Sequence, residues 1–151
     1  MKSLETKIPP LIIVVFFLVL IFFLKNLLEV FTFSYQIYIS FFFLCLAIAF
    51  FSTGIIEFRK YKTTLNPLKP EESSALLTTG VFKFSRNPIY LALLNLLISF
   101  SIYLGSFLGL IILPLFVIYM NQFQIKPEEK AMLKLYGKEF ENYCSNVRRW
   151  I

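Results

Sequence analysis

Leu76-Leu77-Thr78-Thr79-Gly80-Val81-Phe82-Lys83-Phe84-Ser85-Arg86-Asn87-Pro88-Ile89-Tyr90-Leu91-Ala92-Leu93-Leu94-Asn95 carries a polar, basic loop straight into an apolar helix. Asn87 is a favourable N-cap residue, because its side-chain oxygen can accept from a free backbone N–H one turn in. Pro88 suits the first helical position, where its missing N–H costs nothing. The stretch therefore predicts a helix from Pro88 whose free N–H groups and positive dipole end form an anion site. Arg86 lies beside that site and Tyr90 just inside it. An ordinary helix start with Arg86 snorkelling to an interface is the plainer alternative.

Downstream, the apolar helix is expected over about 88–104, followed by an uncharged turn at Gly105-Ser106. A second apolar helix follows over about 107–123, with Pro114 inside it as a kink. Upstream, 59–87 is the longest polar segment. Arg59, Lys60, Lys62, Lys69, Lys83 and Arg86 make it basic, and Pro67 and Pro70 oppose a helix through its first half. Its apolar Leu76, Leu77, Val81, Phe82 and Phe84 predict a loop folded over something. Before it come two long apolar runs. The first, from about Pro9 to Val30, resembles a signal-peptide core but lacks a small-residue cleavage site, so it reads as a retained span. The second covers about 36–58, with Ser52-Thr53-Gly54 as a small-residue patch for close helix contact.

These runs exclude a soluble domain. The chain is 151 residues long, 58% hydrophobic, with nineteen Phe and a net charge of +6. Its basic residues flank the apolar runs, a pattern of membrane orientation rather than of nucleic-acid binding. The fold class expected is all-α integral membrane: four transmembrane helices, a cytosolic loop and a cytosolic helix over 127–147, in one domain. Both termini are expected in the cytosol, in a bacterial inner membrane. The sequence has no His and no Asp, which excludes metal sites built on them and any His base. Cys45 and Cys144 read as reduced packing residues. No ionisable residue lies deep in a span, and no internal repeat is visible, which argues against channels, pumps and inverted-repeat transporters.

Pro127-Glu128-Glu129 reads as a helix start, with proline first and carboxylates suiting the dipole. The four-helix topology returns it to the same membrane face as Asn87-Pro88. Ala131, Met132, Leu135, Phe140, Tyr143 and Val147 fall near helical spacing behind it, with Gly137 as a break. Arg148-Arg149-Trp150-Ile151 pairs cations with an interfacial Trp.

Taken together, Thr79-Gly80-Val81-Phe82, Ser85-Arg86-Asn87-Pro88-Ile89-Tyr90, Glu128-Glu129 with Met132, and Tyr136-Gly137-Lys138-Glu139-Phe140 with Tyr143 resemble the isoprenylcysteine carboxyl methyltransferase family. That family and its phospholipid N-methyltransferase relatives are membrane-embedded enzymes using S-adenosylmethionine. The resemblance covers about residues 55–151. It implies a cofactor held by Ser74, Ala75, Leu76, Leu77, Phe82, Asn87, Pro88, Ile89, Tyr90 and Glu128. Asn87 stands where the family commonly has His. Gln124 stands at a substrate position where the family uses an Arg toward a carboxylate.

The implied reaction is methyl transfer to a hydrophobic or lipid-linked acceptor, a carboxylate, amine or thiol. The cofactor supplies the electrophile, and the protein supplies approach and electrostatics. Glu129 is the candidate base and Arg86 the candidate orienting cation. The acceptor would come from the bilayer and the cofactor from the cytosol. The rival reading is a non-enzymatic four-helix membrane protein that binds lipid or a partner through its basic rim.

Overall fold

The computed structural model describes residues 8–62 and 73–151. The expectations for Pro67, Lys69 and Pro70 fall outside them. Among the described residues the regular structure is all helical. Its α-helices are α1 (Pro10–Leu24), α2 (Gln36–Lys60), α3 (Pro88–Tyr103), α4 (Phe107–Ile111), α5 (Leu113–Met120), α6 (Lys126–Tyr136) and α7 (Lys138–Asn146). A 3-10 turn, Gly80–Lys83, precedes α3, and a π turn, Asn121–Ile125, joins α5 to α6.

Among the described residues, two helical stretches are long and apolar enough to cross a membrane: α2, and the 30 residues Phe107–Tyr136 that run from α4 through α6. α1 and α3 are apolar but shorter. Their 15 and 16 residues rise about 22 and 24 Å, against about 30 Å of bilayer hydrocarbon. The expectation that the first helix reaches Val30 is corrected: α1 ends at Leu24, where Lys25-Asn26 turns the chain. The following stretch packs instead on the turn after α3, with the Phe31 N–H donating to the Gly105 carbonyl at 2.9 Å. Gly105 has φ +63°, and a Cβ there would stand 2.3 Å from the Phe31 carbonyl oxygen. Only glycine fits.

α2 lies against α3 through residues seven apart. Ser40, Ala47 and Gly54 are the small residues buried on it, and seven-residue spacing returns to one helix face. Small side chains let the backbones approach. Ser40 Oγ donates to the Ser99 carbonyl (2.9 Å) and Ser99 Oγ to the Ser40 carbonyl (2.8 Å). Of the expected Ser52-Thr53-Gly54 patch only Gly54 is buried, against Ile89 and Pro88. Cys45 is exposed on α2 and is not a packing residue. α1, α3 and α5 share the main apolar core, with Val14, Ile21, Leu97, Phe116 and Met120 fully buried and Phe17 edge-on to Phe116 at 5.4 Å.

The expected kink at Pro114 is a break at Ile112, between α4 and α5, with Pro114 in the first turn of α5. The expected new helix at Pro127 is corrected. The helical chain continues from α5 into α6 through the π turn. A proline inside a regular α-helix clashes with the carbonyl four residues back. Here that residue is Phe123, inside the widened turn, which relieves the clash. Glu128 and Glu129 therefore sit on a continuous rod and not at a free helix end. The 127–147 helix is in fact two, separated at Gly137 (φ +49°).

Candidate functional site

One cavity of about 220 Å3 opens where the end of α2, the loop from Ser73, the 3-10 turn and the start of α3 meet α6 and α7. Its outer wall is a second apolar cluster of Leu77, Phe82, Phe140 and Tyr143. The Tyr143 hydroxyl locks this wall by donating to the Phe82 carbonyl at 2.6 Å. Burial pushes the Tyr143 phenol well above its ordinary pKa, so it remains a donor. At the inner edge Glu57, buried at the end of α2, accepts from Thr79 Oγ1 at 2.6 Å. Gly80 rides over that carboxylate so closely that a Cβ would come within 2.6 Å of it. This seats the 3-10 turn that carries Phe82.

Ala75, Leu76, Leu77, Phe82, Arg86, Asn87, Pro88, Ile89, Tyr90, Glu128 and Glu129 all line the cavity, although some are more than fifty residues apart. Ser74 does not line it; its exposed hydroxyl donates to the Lys62 carbonyl at 3.4 Å. Gln124 does not either. It is fully buried in the π turn, with Nε2 donating 2.7 Å to the Ile8 carbonyl and Oε1 without a partner among the described residues. Pro10, Phe58 and Ser73 line the cavity too, and nothing in their local sequence marks them.

The adjacent glutamates have different surroundings. Residues next to each other on a helix point about 100° apart. The Glu128 carboxylate accepts from the Tyr90 hydroxyl across the cavity wall, and among the described residues no cation pairs with it. Glu129 is held by two guanidinium groups. Arg149 binds it through two nitrogens (2.9 and 2.7 Å) and Arg86 at 3.1 Å. The hydrogen bond to Glu129 raises the Arg149 pKa further. Arg86 also touches the Cys144 thiol. Burial pushes that thiol up, more than the nearby Arg86 pulls it down, so it stays protonated.

The α3 start departs from expectation. Asn87 does not cap it. The Asn87 side chain donates instead to the Arg149 carbonyl at 3.0 Å, and among the described residues no side chain caps the helix. The Asn87 backbone (φ −129°, ψ 58°) is also off the extended conformation of a capping residue. The first hydrogen bond within α3 is Leu91 N–H to the Asn87 carbonyl. Ile89 and Tyr90 thus carry first-turn N–H groups without a side-chain acceptor, at the cavity edge.

Arg149, expected only as part of an interfacial pairing of cations with Trp in Arg148-Arg149-Trp150-Ile151, is a site residue the sequence does not mark. Its partners lie 20 and 62 residues away, and no local spacing signals them.

A family model described as phospholipid methyltransferase matches residues 35–139. The chain belongs to this family of membrane methyltransferases. It is also similar to an uncharacterised protein of Haemophilus influenzae, 36% identical over 63 residues, which are 42% of this chain and the whole of that protein. No solved structure matches.

Proposed function

We propose that the protein is an S-adenosylmethionine-dependent methyltransferase acting on a hydrophobic or lipid-linked acceptor, with the cavity between α3 and α6 as its cofactor site. The observation that carries this reading is the pairing, in one cavity, of a carboxylate without a cation and a helix start without a cap. Such a site complements a zwitterion, with an ammonium at Glu128 and a carboxylate at the Ile89 and Tyr90 N–H groups. An amino-acid moiety carries both. Leu76, Leu77, Phe82 and Met132 offer the apolar wall an adenine ring needs. The residues present therefore fit the group the family uses. Ser74 and Gln124 stand apart from the fit.

When bound, the cofactor supplies a methyl group on a sulfonium, open to in-line displacement. The chain supplies binding, alignment and exclusion of water. Tyr90 fixes the Glu128 carboxylate, and Glu128 would hold the ammonium of the bound cofactor. Both Glu129 oxygens are engaged by Arg86 and Arg149, which suits an orienting group better than the base expected from the sequence. With no His in the chain and Glu129 so engaged, the acceptor arrives ready to react: a carboxylate, a neutral amine or a thiolate.

Four membrane crossings with both termini in the cytosol of a bacterial inner membrane complete the reading. The basic segments then share the side of the cavity. α1 and α3 cross with flanking residues or local thinning taking up their shorter length.

Calorimetric titration of the detergent-solubilised protein with S-adenosylmethionine and S-adenosylhomocysteine tests the proposal. Saturable binding at sub-millimolar concentration is expected. No binding by either compound would return the molecule to the lipid- or partner-binding reading.

A further inference from the structure

Residues 148–150 form a strap that ties together two parts of the chain far apart in sequence. The Arg148 carbonyl accepts from the Arg86 N–H at 3.0 Å. The Arg149 carbonyl accepts from Ser85 Oγ (3.2 Å) and Asn87 Nδ2 (3.0 Å). The Arg149 guanidinium grips Glu129 on α6. The Trp150 indole N–H donates to Asn121 Oδ1 in the π turn at 3.0 Å, and its ring packs on the main core. The strap thus bridges the start of α3 and the α5–α6 rod, the two walls that carry Tyr90 and Glu128.

We propose that Arg149 is a positioning residue: its grip on Glu129 holds its own carbonyl where it draws the Asn87 side chain off the start of α3, keeping the cavity wall open for ligand. Asn87 is among the residues that cap helices best, yet it does not cap here. Its side-chain amide donates instead to a carbonyl that the strap supplies. If Arg149 lets go of Glu129, the strap loses its charged anchor, Asn87 is free to turn its backbone from ψ 58° to the extended conformation of a cap, and its oxygen then closes the first-turn N–H groups. The ligand part of the inference rests on the cofactor reading above; the side-chain switch does not.

The test uses the full chain in detergent micelles, with hydrogen exchange followed at the Ile89 and Tyr90 amides and S-adenosylhomocysteine as the ligand probe. In Arg149→Ala, exchange at these amides is expected to slow about fivefold, the protection a typical cap confers. Affinity for the probe should fall by a similar factor. Arg149→Lys keeps a charged contact to Glu129 and should stay near the parent in both readouts. The double variant Arg149→Ala with Asn87→Ala has no side chain left to cap, so its exchange should return to the parent rate. Parent-like exchange in a helical, folded Arg149→Ala overturns the proposal, as does slowed exchange that persists in the double variant. Slowed exchange that the double variant reverses, in a protein that never binds the probe, keeps the strap and removes the cofactor reading.

Discussion

α3 and α4 both begin after a residue that favours the N-cap position, and only one of the two is used. Ser106 accepts from the Gly109 N–H at 3.0 Å and closes the start of α4. Asn87, at the start of α3, turns its side chain away to the Arg149 carbonyl. Around Ser106 every partner is local or comes from the 31–36 stretch, and the turn bears no charge. Around Asn87 the partners come from residues 85, 148 and 149, beside two glutamates and two arginines. A capped helix start is a finished joint. An uncapped one facing a cavity leaves backbone donors for something else to satisfy.

The largest effect is expected at the closed joint. Gly105→Ala would put a Cβ at positive φ, which costs about 1–2 kcal/mol by itself. It would also collide with the Phe31 carbonyl. A total loss above about 2 kcal/mol is expected in denaturant or thermal unfolding. A parent-like midpoint would show that this turn is not the fixed end of the pair.

At the open joint the expected loss is in binding. Glu128→Gln keeps an acceptor for Tyr90 but removes the charge. Losing a charge-assisted hydrogen bond costs about 1.5–3 kcal/mol, so affinity for S-adenosylmethionine should fall at least about tenfold. Calorimetry on the variant decides it, with thermal stability measured alongside. An unchanged affinity would place the cofactor's cation elsewhere.

The smallest effect compares the two caps directly. Ser106→Ala should cost about 1 kcal/mol and speed exchange of the Gly109 amide, which loses its acceptor. Asn87→Ala should leave exchange at Ile89 and Tyr90 unchanged, because no cap is lost there. Faster exchange at those amides would make Asn87 an ordinary cap.

Much of this arrangement is legible in the sequence wherever the cause is local. Pro88 starts α3, Gly105-Ser106 turns the chain, and Gly137 separates two helices, because proline, positive φ and small polar caps act within a few residues. The family resemblance named many of the residues that line the cavity, but not Pro10, Phe58 or Ser73, and it named Ser74 and Gln124, which do not line it. Local rules failed where a distant group competes. Asn87 obeys the Arg149 carbonyl, 62 residues away, instead of its own helix. Pro127 looked like a start because the widened turn that accommodates it has no distinctive composition. Hydropathy carries the first span to Val30, but beyond Leu24 the chain turns and Phe31 hydrogen-bonds to the turn at Gly105. Arg149 showed the same limit from the other side, since a cation beside Trp reads as an anchor until its carboxylate partner is known.

The uninterrupted helix from Leu113 to Tyr136 also makes length a heritable constraint of its own. Deleting one residue between the apolar span and Pro127 would turn every later side chain about 100° and draw it back about 1.5 Å. Both carboxylates would leave the cavity wall at once. The π turn holds one residue more per turn than its neighbours, so the phase of the acidic pair is already set by a single residue there. Substitutions on the outward side, at Leu115 or Ile118, leave that phase untouched. Along this segment the chain can drift in composition but not in count.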